Sequence, residues 1–229
     1  MNYSRNFMKA KLVPGRHTIL ELCRGKYVYD FGCGACSPEI AELLIRDIMS
    51  VAKSYHGFDL DPDGVACLKT KQFSVSVLDL DDPPTGFVPP TNLPGATDEV
   101  LLLFSEVIEH LPNPGKTLQW LSSWCREMNF SNPRILLGTP NVYSFAMTLW
   151  HWMTMQDSDS DTHLLRFSPK NLKALVERSS WTCIDWWFYY SDRNYGGPIP
   201  TSVRFLKMVI PRIIPGGAPG FLMLCKLAP

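Results

Sequence analysis

The chain lacks an excess of charge of either sign. Its 229 residues include 22 lysines and arginines and 22 aspartates and glutamates, which gives a formal net charge of zero. No tract of like charge interrupts this balance, so the sequence offers no electrostatic footprint for a nucleic acid. RNA is therefore a possible but disfavoured partner.

The chain also lacks a long apolar run. Crossing a bilayer with one helix takes about 18–20 apolar residues, and no segment of this sequence reaches that length. Residues 1–24 mix basic and apolar side chains, unlike a signal peptide. The seven cysteines are scattered and odd in number, which favours buried thiols in a reducing compartment. We therefore expect a soluble, cytoplasmic protein.

Metal-binding cysteine pairs are scarce too. Only Cys33 and Cys36 have the Cys-x-x-Cys spacing, and no second pair accompanies them. Structural zinc sites usually combine two such pairs, or one pair with two histidines. This spacing therefore does not predict a zinc or redox centre.

The third glycine of a dinucleotide-binding turn is missing as well. Residues 27–34 read Tyr-Val-Tyr-Asp-Phe-Gly-Cys-Gly, so a β-rich run ends at Asp30 and is followed by Gly32 and Gly34. Glycines allow a sharp turn, and they let a ligand approach backbone N–H groups that no Cβ blocks. Because no third glycine stands where a pyrophosphate would pack, the pattern predicts a nucleoside ligand without a diphosphate.

Acidic residues end the next two strand-like segments. Asp59 ends the first, where a carboxylate can accept two hydrogen bonds from a ribose diol. Asp61 precedes Pro62 and fits better as the N-cap of the following helix. Asp79 ends the second segment, where it either accepts a hydrogen bond from a purine amino group or is a turn residue.

Together these motifs resemble those of the class I S-adenosylmethionine-dependent methyltransferases. Five segments carry the resemblance, in the family's order and spacing: residues 30–34, 57–59, 78–79, 104–114 and 137–141. The resemblance implies S-adenosylmethionine as cofactor and S-adenosylhomocysteine as product. It also implies that residues 30–34 hold the methionine part, Asp59 the ribose and Asp79 the adenine. The full set of implied cofactor-binding residues is Asp30, Gly32, Cys33, Gly34, Asp59, Leu60, Leu78, Asp79, Ser105 and Glu106.

Alternating strand and helix patterns predict an α/β fold. We expect one domain over residues 1–229, with a doubly wound, mostly parallel seven-stranded sheet and an antiparallel last strand, as in the Rossmann-like methyltransferase fold. The predicted strands are 27–31, 54–59, 73–78, 99–104, 133–138, 181–190 and 220–226. The predicted helices are 4–24, 38–51, 62–70, 114–128, 171–179 and 201–210. Five prolines and two glycines make residues 80–97 a loop.

A cluster of acidic residues and a histidine, Glu106-x-x-Glu109-His110, follows the fourth predicted strand. On a helical turn Glu106 and Glu109 would share a face, with His110 adjoining it. In the resembled family this segment lies beside the reactive methyl group. Glu109 and His110 are therefore candidate catalytic residues, with His110 the candidate base for an acceptor hydroxyl. The alternative is that Glu109 and His110 only cap the next helix.

His163 is a further candidate catalytic residue. It lies in a loop before Ser168 and Pro169, which have the pattern of an N-cap and first helical residue. Two carboxylates and two histidines are also a plausible ligand set for a divalent cation, and they resemble the metal site of small-RNA 2′-O-methyltransferases. Those enzymes usually carry an acidic residue three positions after this histidine, whereas this chain has Arg166. We therefore predict hydrogen bonding by His163 and no metal ligand.

Residues 141–162 read as a lid-like insertion. Four aromatic residues and three methionines fall within the fourteen residues 142–155, which suits a lid over an apolar acceptor; the alternative is a helix packed on the core. A second apolar patch at 205–215 is flanked by basic residues and could seat a lipid-like substrate or contact a membrane surface peripherally.

The predicted function is methyl transfer to an oxygen of a small or medium-sized apolar metabolite. Two alternatives are a metal-assisted RNA 3′-terminal 2′-O-methyltransferase and a non-catalytic cofactor-binding scaffold.

Overall fold

The computed structural model describes residues 11–34, 38–89, 93–95, 97–155, 162–190 and 211–229. Within them the strands are β1 Lys11–Pro14, β2 Tyr27–Phe31, β3 Ser54–Asp59, β4 Val75–Val77, β5 Val100–Ser105, β6 Arg134–Pro140, β7 Trp181–Tyr190 and β8 Gly220–Leu227. The α-helices are α1 Gly15–Cys23, α2 Pro38–Val51, α3 Pro62–Thr70, α4 Pro114–Glu127, α5 Phe145–Thr154 and α6 Pro169–Arg178. Short 3₁₀ turns cover Ile108–His110 and Pro215–Gly217.

The sheet has the order β1-β7-β8-β6-β5-β2-β3-β4. Only β8 runs antiparallel to its neighbours, β6 and β7, while the other strand pairs are parallel. This confirms the predicted α/β fold with an antiparallel last strand. The predicted count of seven strands was wrong, because eight strands pair in the described part of the chain.

The additional strand, β1, lies inside the predicted helix 4–24. In the described part of that segment only residues 15–23 are helical, while residues 11–14 pair in parallel with the end of β7, from Lys11 beside Trp187 to Pro14 beside Tyr190. Pro14 explains the break, because a proline favours an extended residue before it and is tolerated next to a helix N-terminus. The predicted helix 201–210 lies outside the described residues.

Three helices begin with the same local signal, a capping side chain followed by proline. Asp61 accepts from two backbone N–H groups at the start of α3, and Asn113 accepts from the Lys116 N–H at the start of α4. Ser168 forms a capping box with Asn171 at the start of α6. The predicted caps at Asp61 and Ser168 are therefore confirmed, and they fix where each loop turns into its helix.

The core fills both faces of the sheet. On one face an aromatic cluster includes Tyr29, Phe31, Phe58, Phe104 and Trp124, and the helices α4 and α6 contribute to it. On the other face the buried aliphatic side chains of the central strands meet α1, α2 and α3. Residues 100–104 are all buried, as expected for a central parallel strand covered on both sides.

Candidate functional site

The carboxyl ends of four neighbouring strands bring the motif residues to one edge of the sheet. Phe31 lies between Phe58 and Phe104 in register, and β3 ends at Asp59 beside Val77 of β4. The chain segments that leave β2, β3, β4 and β5 therefore meet at this edge, where ligands bind in doubly wound sheets. These segments carry every cofactor-binding residue that the sequence predicts.

The glycine turn after β2 is closed by hydrogen bonds within the protein. The N–H groups of Gly32 and Cys33 donate to Phe58 O at 2.7 and 3.1 Å, and Gly34 N–H donates to Asp59 Oδ2 at 2.6 Å. In this structure these N–H groups bond to the protein itself, and the expectation that they meet the ligand stays a prediction. Close packing within the protein explains why glycine occupies both positions. Gly32 has φ +77°, and a Cβ on it would overlap Val107, while a Cβ on Gly34 would lie 2.7 Å from Asp59 Oδ2.

Asp59 is held in place by two backbone donors. Besides Gly34, the N–H of Asp61 donates to its Oδ1 at 2.9 Å, and the side chain is half-buried. Each carboxylate oxygen has two lone pairs, so both oxygens can still accept a hydroxyl. Asp61 uses its own carboxylate for the N–H groups of Asp63 and Gly64, both at 3.0 Å.

Asp30 is a buried carboxyl at the end of β2. The Tyr55 hydroxyl donates to its Oδ2 at 2.9 Å. Burial raises the pKa of Asp30 to about 7; the Tyr55 hydrogen bond opposes that rise and the nearby Asp59 charge adds to it. Asp30 therefore changes charge near neutral pH. The Tyr55 contact was missed in the sequence because it depends on the pairing of β2 with β3.

The residues after β3 and β4 differ in exposure. Leu78 is buried, whereas Leu60 is 62% exposed. Asp79 is exposed, and its Oδ1 accepts from the Asp81 N–H at 2.8 Å. This is the local geometry of a turn residue. The adenine contact expected of Asp79 stays a prediction.

Ser105 ends β5, and Glu106 turns the chain away from it. Glu106 has φ +59°, an unusual conformation for a residue other than glycine, and its N–H donates to Gly138 O at 2.9 Å. Its Oε1 accepts from the Tyr189 hydroxyl at 2.5 Å. Glu106 is exposed by surface area, yet desolvation by neighbouring protein atoms and the Glu109 charge raise its pKa to about 7.

Glu109 anchors the turn that follows. It is 1% exposed, and its Oε2 accepts from the Thr139 hydroxyl at 2.9 Å. Its backbone carbonyl accepts from the N–H groups of Leu164 and Leu165, at 2.9 and 3.0 Å. Glu106 and Glu109 do meet, but a left-handed residue and a 3₁₀ turn bring them together, and not a shared helical face.

His110 and His163 lie side by side. Their ring centroids are 4.7 Å apart with planes at 71°. His110 Nδ1 lies 3.0 Å from Thr162 O, and since a carbonyl can only accept, Nδ1 carries the proton and Nε2 is the basic nitrogen of the neutral ring. Ligand atoms of Glu109, His110 and His163 all lie within 4.8 Å of one another. The structure thus brings together the three predicted catalytic residues.

Helix α5 within the lid-like insertion has an unusual surface. None of its side chains is buried, and Trp152 and Met153 are 74% and 69% exposed. The alternative of a helix packed on the core was therefore wrong. Asn141 anchors the segment before α5, since its side-chain amide donates to Gly216 O and Ala218 O at 2.9 and 3.0 Å.

More exposed apolar side chains lie near α5 in neighbouring segments. Val142 N–H donates to Phe167 O, so the start of the insertion lies beside the loop that carries Leu164 and Leu165. Leu164 and Ile213 are 59% and 73% exposed. None of the helices in the described ranges is both long and apolar enough to cross a membrane.

Comparisons with known proteins agree with this architecture. The model of the methyltransferase domain matches residues 4–185, while no curated protein matches the chain. The fold is similar to that of a SAM-dependent methyltransferase from Archaeoglobus fulgidus, with 18% identity, a TM-score of 0.55, and coverage of 92% of this chain and 90% of that one.

Two further solved structures are similar. Magnesium protoporphyrin IX methyltransferase from Synechocystis PCC 6803, with bound SAH, has 11% identity, a TM-score of 0.52 and coverage of 93% and 82%. The small RNA methyltransferase HEN1 has 13% identity and a TM-score of 0.54, and the match covers 93% of this chain but 25% of that one. At these identities the likeness shows the fold alone.

Proposed function

The chain belongs to the methyltransferase domain family, and on that premise we propose that it methylates an oxygen of a small or medium-sized apolar metabolite. As a SAM-dependent methyltransferase it uses S-adenosylmethionine and leaves S-adenosylhomocysteine. It is therefore an enzyme, and a purely scaffolding role does not fit. The acceptor and the site residues are the proposed part.

The residues at the carboxyl edge fit a cationic nucleoside. The carboxyl groups of Asp30 and Asp59 adjoin the turn after β2, and Glu106 precedes Val107, which packs against that turn at Gly32. Carboxylates attract an ammonium or sulfonium charge and accept hydrogen bonds from a diol. Asp59, whose two oxygens are already positioned by backbone donors, is proposed to hold the ribose. The methionine part of the cofactor would be bordered by Gly32, Cys33 and Gly34. The rest of the cofactor would be bordered by Leu60, Leu78, Asp79 and Ser105.

S-adenosylmethionine, when bound, supplies an electrophilic methyl group on its sulfonium. The chain's own task is then to hold an acceptor oxygen in line and to remove its proton. His110 suits proton removal, because its Nδ1–H is used by Thr162 O and its Nε2 stays basic. The hydrogen bond of His110 Nδ1 with Thr162 O is the observation that carries the proposal. Glu109 supports His110 by fixing the turn through Thr139 and the backbone of residues 164–165.

The acceptor side favours an apolar molecule. Trp152 and Met153 on α5 and Leu164 beside His163 present exposed apolar surface that an acceptor could bury. A lipid-like acceptor, or peripheral contact with a membrane surface, would use the same side chains. Neutral net charge gives no comparable support for RNA.

The test is a methyl-transfer screen with labelled cofactor against phenols, carboxylates, lipids and short RNAs. With the acceptor found, His110→Gln should lower kcat by roughly 10²–10⁴-fold while cofactor affinity stays nearly unchanged, because the residue faces the acceptor. His17→Gln, an exposed histidine on α1, is the matched control. A near-normal rate for His110→Gln would reject the base assignment, and turnover of RNA alone would reject the apolar acceptor.

A second candidate function is favoured by the cluster of Glu109, His110 and His163. Their ligand atoms are close enough to share one divalent cation, and Glu106 lies next to Glu109. One structural neighbour is a small RNA methyltransferase. The alternative is therefore metal-assisted 2′-O-methylation at an RNA 3′ end, in which these residues would hold the ion near the acceptor oxygen.

Metal content and chelation separate the two candidates. Metal assistance predicts about one bound divalent ion per chain by elemental analysis, loss of activity in chelator, and recovery with Mg²⁺ or Mn²⁺. Glu109→Gln would then be as damaging as His110→Gln. Full activity in chelator would reject the metal-assisted reaction and leave the base mechanism in place.

A further inference from the structure

Two cysteines far apart in the sequence face each other across the two strands β7 and β8. Cys183 and Cys225 are register partners in this antiparallel pair. Directly opposed residues in such a pair have Cα atoms roughly 4.5–5.5 Å apart, and disulfides span roughly 4.4–6.8 Å between Cα atoms. The backbone spacing therefore suits a disulfide without rearrangement of the strands.

The two thiols are within hydrogen-bonding reach of each other. The hydrogen bond between them lowers the pKa of Cys183 and raises that of Cys225, and the Cys183 thiol also donates to Asp185 O at 3.7 Å. Lys173 on α6 also lowers the pKa of Cys183. The half-buried position of Cys183 and its lowered pKa together favour Cys183 as the attacking member and the buried Cys225 as the resolving member.

Access differs between the two sulfur atoms. Cys183 is half-buried, whereas Cys225 is completely buried. The pairing register of β7 with β8 shifts between Cys183 and Asp185, and such an irregularity loosens the strand locally. By contrast, burial raises the pKa of the Cys23, Cys33 and Cys125 thiols, which makes them poor nucleophiles.

We propose that Cys183 and Cys225 form a peroxide-sensitive dithiol that closes to a disulfide. The Cys183 thiolate attacks one oxygen of hydrogen peroxide, the O–O bond breaks, and hydroxide leaves a sulfenic acid on Cys183. The Cys225 sulfur then attacks the Cys183 sulfur and displaces the second oxygen as hydroxide. The Cys225 proton and the solvent convert both hydroxides to water, so one peroxide is reduced to two waters while two thiols become one disulfide.

The bond would tie together the two strands that complete the sheet. β8 lies between β6 and β7, and β7 carries Tyr189, whose hydroxyl reaches Glu106 in the candidate site. The cross-link joins chain positions 183 and 225 and so closes a long loop. Closure of such a loop stabilises the folded state mainly by restricting the unfolded chain. This modification is independent of the acceptor and of the methyl-transfer mechanism.

To test this proposal, the full chain is oxidised with hydrogen peroxide and the remaining free thiols are blocked. The protein is then digested without reduction, and its peptides are identified by mass. The expected result is a Cys183–Cys225 peptide pair about 2 Da lighter than the sum of its reduced halves, reversed by dithiothreitol. The oxidised protein should melt roughly 5–10 °C higher than the reduced one. Cys67→Ser, which removes another half-buried cysteine, should leave the cross-link intact.

Two variants keep the outcome decisive. Cys183→Ser should abolish the cross-link, and Cys225→Ala should leave a sulfenic acid on Cys183 that dimedone traps. A Cys33–Cys36 disulfide formed in its place would overturn the proposal. So would a Cys183 that peroxide leaves reduced, or one that reaches the sulfinic acid while Cys225 remains a free thiol.

Discussion

The proposed cofactor side and the proposed acceptor side of the same sheet edge are built in opposite ways. On the cofactor side, Gly34 and Asp61 donate to Asp59 at 2.6 and 2.9 Å, and Gly32 has no room for a Cβ against Val107. On the acceptor side, α5 has no buried side chain and presents Trp152 with 74% of its surface exposed. One side is fixed by its own contacts, and the other offers apolar surface to a second molecule.

This difference explains why one side carries a motif and the other does not. A turn that must pass close to Val107 and Asp59 tolerates few residue types, so its sequence is restricted. Exposed apolar surface can be provided by many combinations of tryptophan, methionine and leucine. Sequence patterns therefore identify the cofactor far better than they identify the acceptor.

The largest expected effect comes from filling the cofactor-side turn. Gly32→Val should reduce cofactor affinity by at least about 100-fold, because valine strains a residue at φ +77° and overlaps Val107. Calorimetry with S-adenosylhomocysteine measures this directly. Gly86→Val is the matched control, since Gly86 has φ +66° but nothing within 4 Å of an added Cβ. Equal affinity in the two variants would show that the turn does not border the cofactor.

Loss of the proposed ribose acceptor should have the next largest effect. Asp59→Ala removes a charged acceptor of hydroxyl hydrogen bonds, a loss on the order of 1.5–3 kcal/mol or about ten- to a hundred-fold in affinity. Asp61→Ala should instead lower stability by about 1 kcal/mol through loss of the α3 N-cap and leave affinity unchanged. The reverse pattern would mean that Asp61 holds the ribose.

A smaller effect is expected on the acceptor side. Trp152→Ala should raise KM for the acceptor about ten-fold, because the apolar area buried on binding decreases, while cofactor affinity stays the same. Met49→Ala on α2 removes another exposed apolar side chain, 46% exposed, and should change neither value. If Trp152→Ala weakened cofactor binding in place of acceptor binding, the division into two sides would be wrong.

The smallest expected effect is a pH dependence of stability. Burial raises the folded-state pKa of Asp30 from 3.8 to about 7, so its contribution is fully present below pH about 4 and is lost as pH rises through about 7. The melting temperature of the wild type should therefore fall by several degrees across this window relative to Asp30→Asn. Parallel melting profiles for the two proteins would contradict the raised pKa.

Much of the fold follows from local sequence signals. The bounds of β2, α2, β3 and α3 were predicted to the residue, because strand alternation, the apolar stripe of α2 and the Asp61–Pro62 start of α3 are all local. β1 was missed because its partner is β7, some 175 residues later in the chain. A four-residue strand held by one distant neighbour leaves no period in the sequence.

For the candidate site, the sequence predicted which residues come together better than it predicted the hydrogen bonds between them. Glu109, His110 and His163 do come together, as predicted. However, Glu106 reaches Glu109 because the backbone of Glu106 has a φ of +59°, and no sequence pattern predicts that conformation. The donors Tyr55 and Tyr189 were missed, since each belongs to another strand from the carboxyl group it serves.

The order of strands in the sheet means that β6 is synthesised well before its neighbour β8. β6 ends at Pro140, but its neighbour β8 begins only at Gly220, 80 residues later, and β8 in turn separates β6 from β7 and β1. On a ribosome that adds roughly 5–20 residues per second, the unpaired backbone groups along β6 lack their partner strand for several seconds. An uncovered edge of this kind can pair with another chain. The edge of β6 therefore stays open to such pairing until β8 is inserted. A chain stopped before Gly220 would retain a five-stranded sheet with that edge still open.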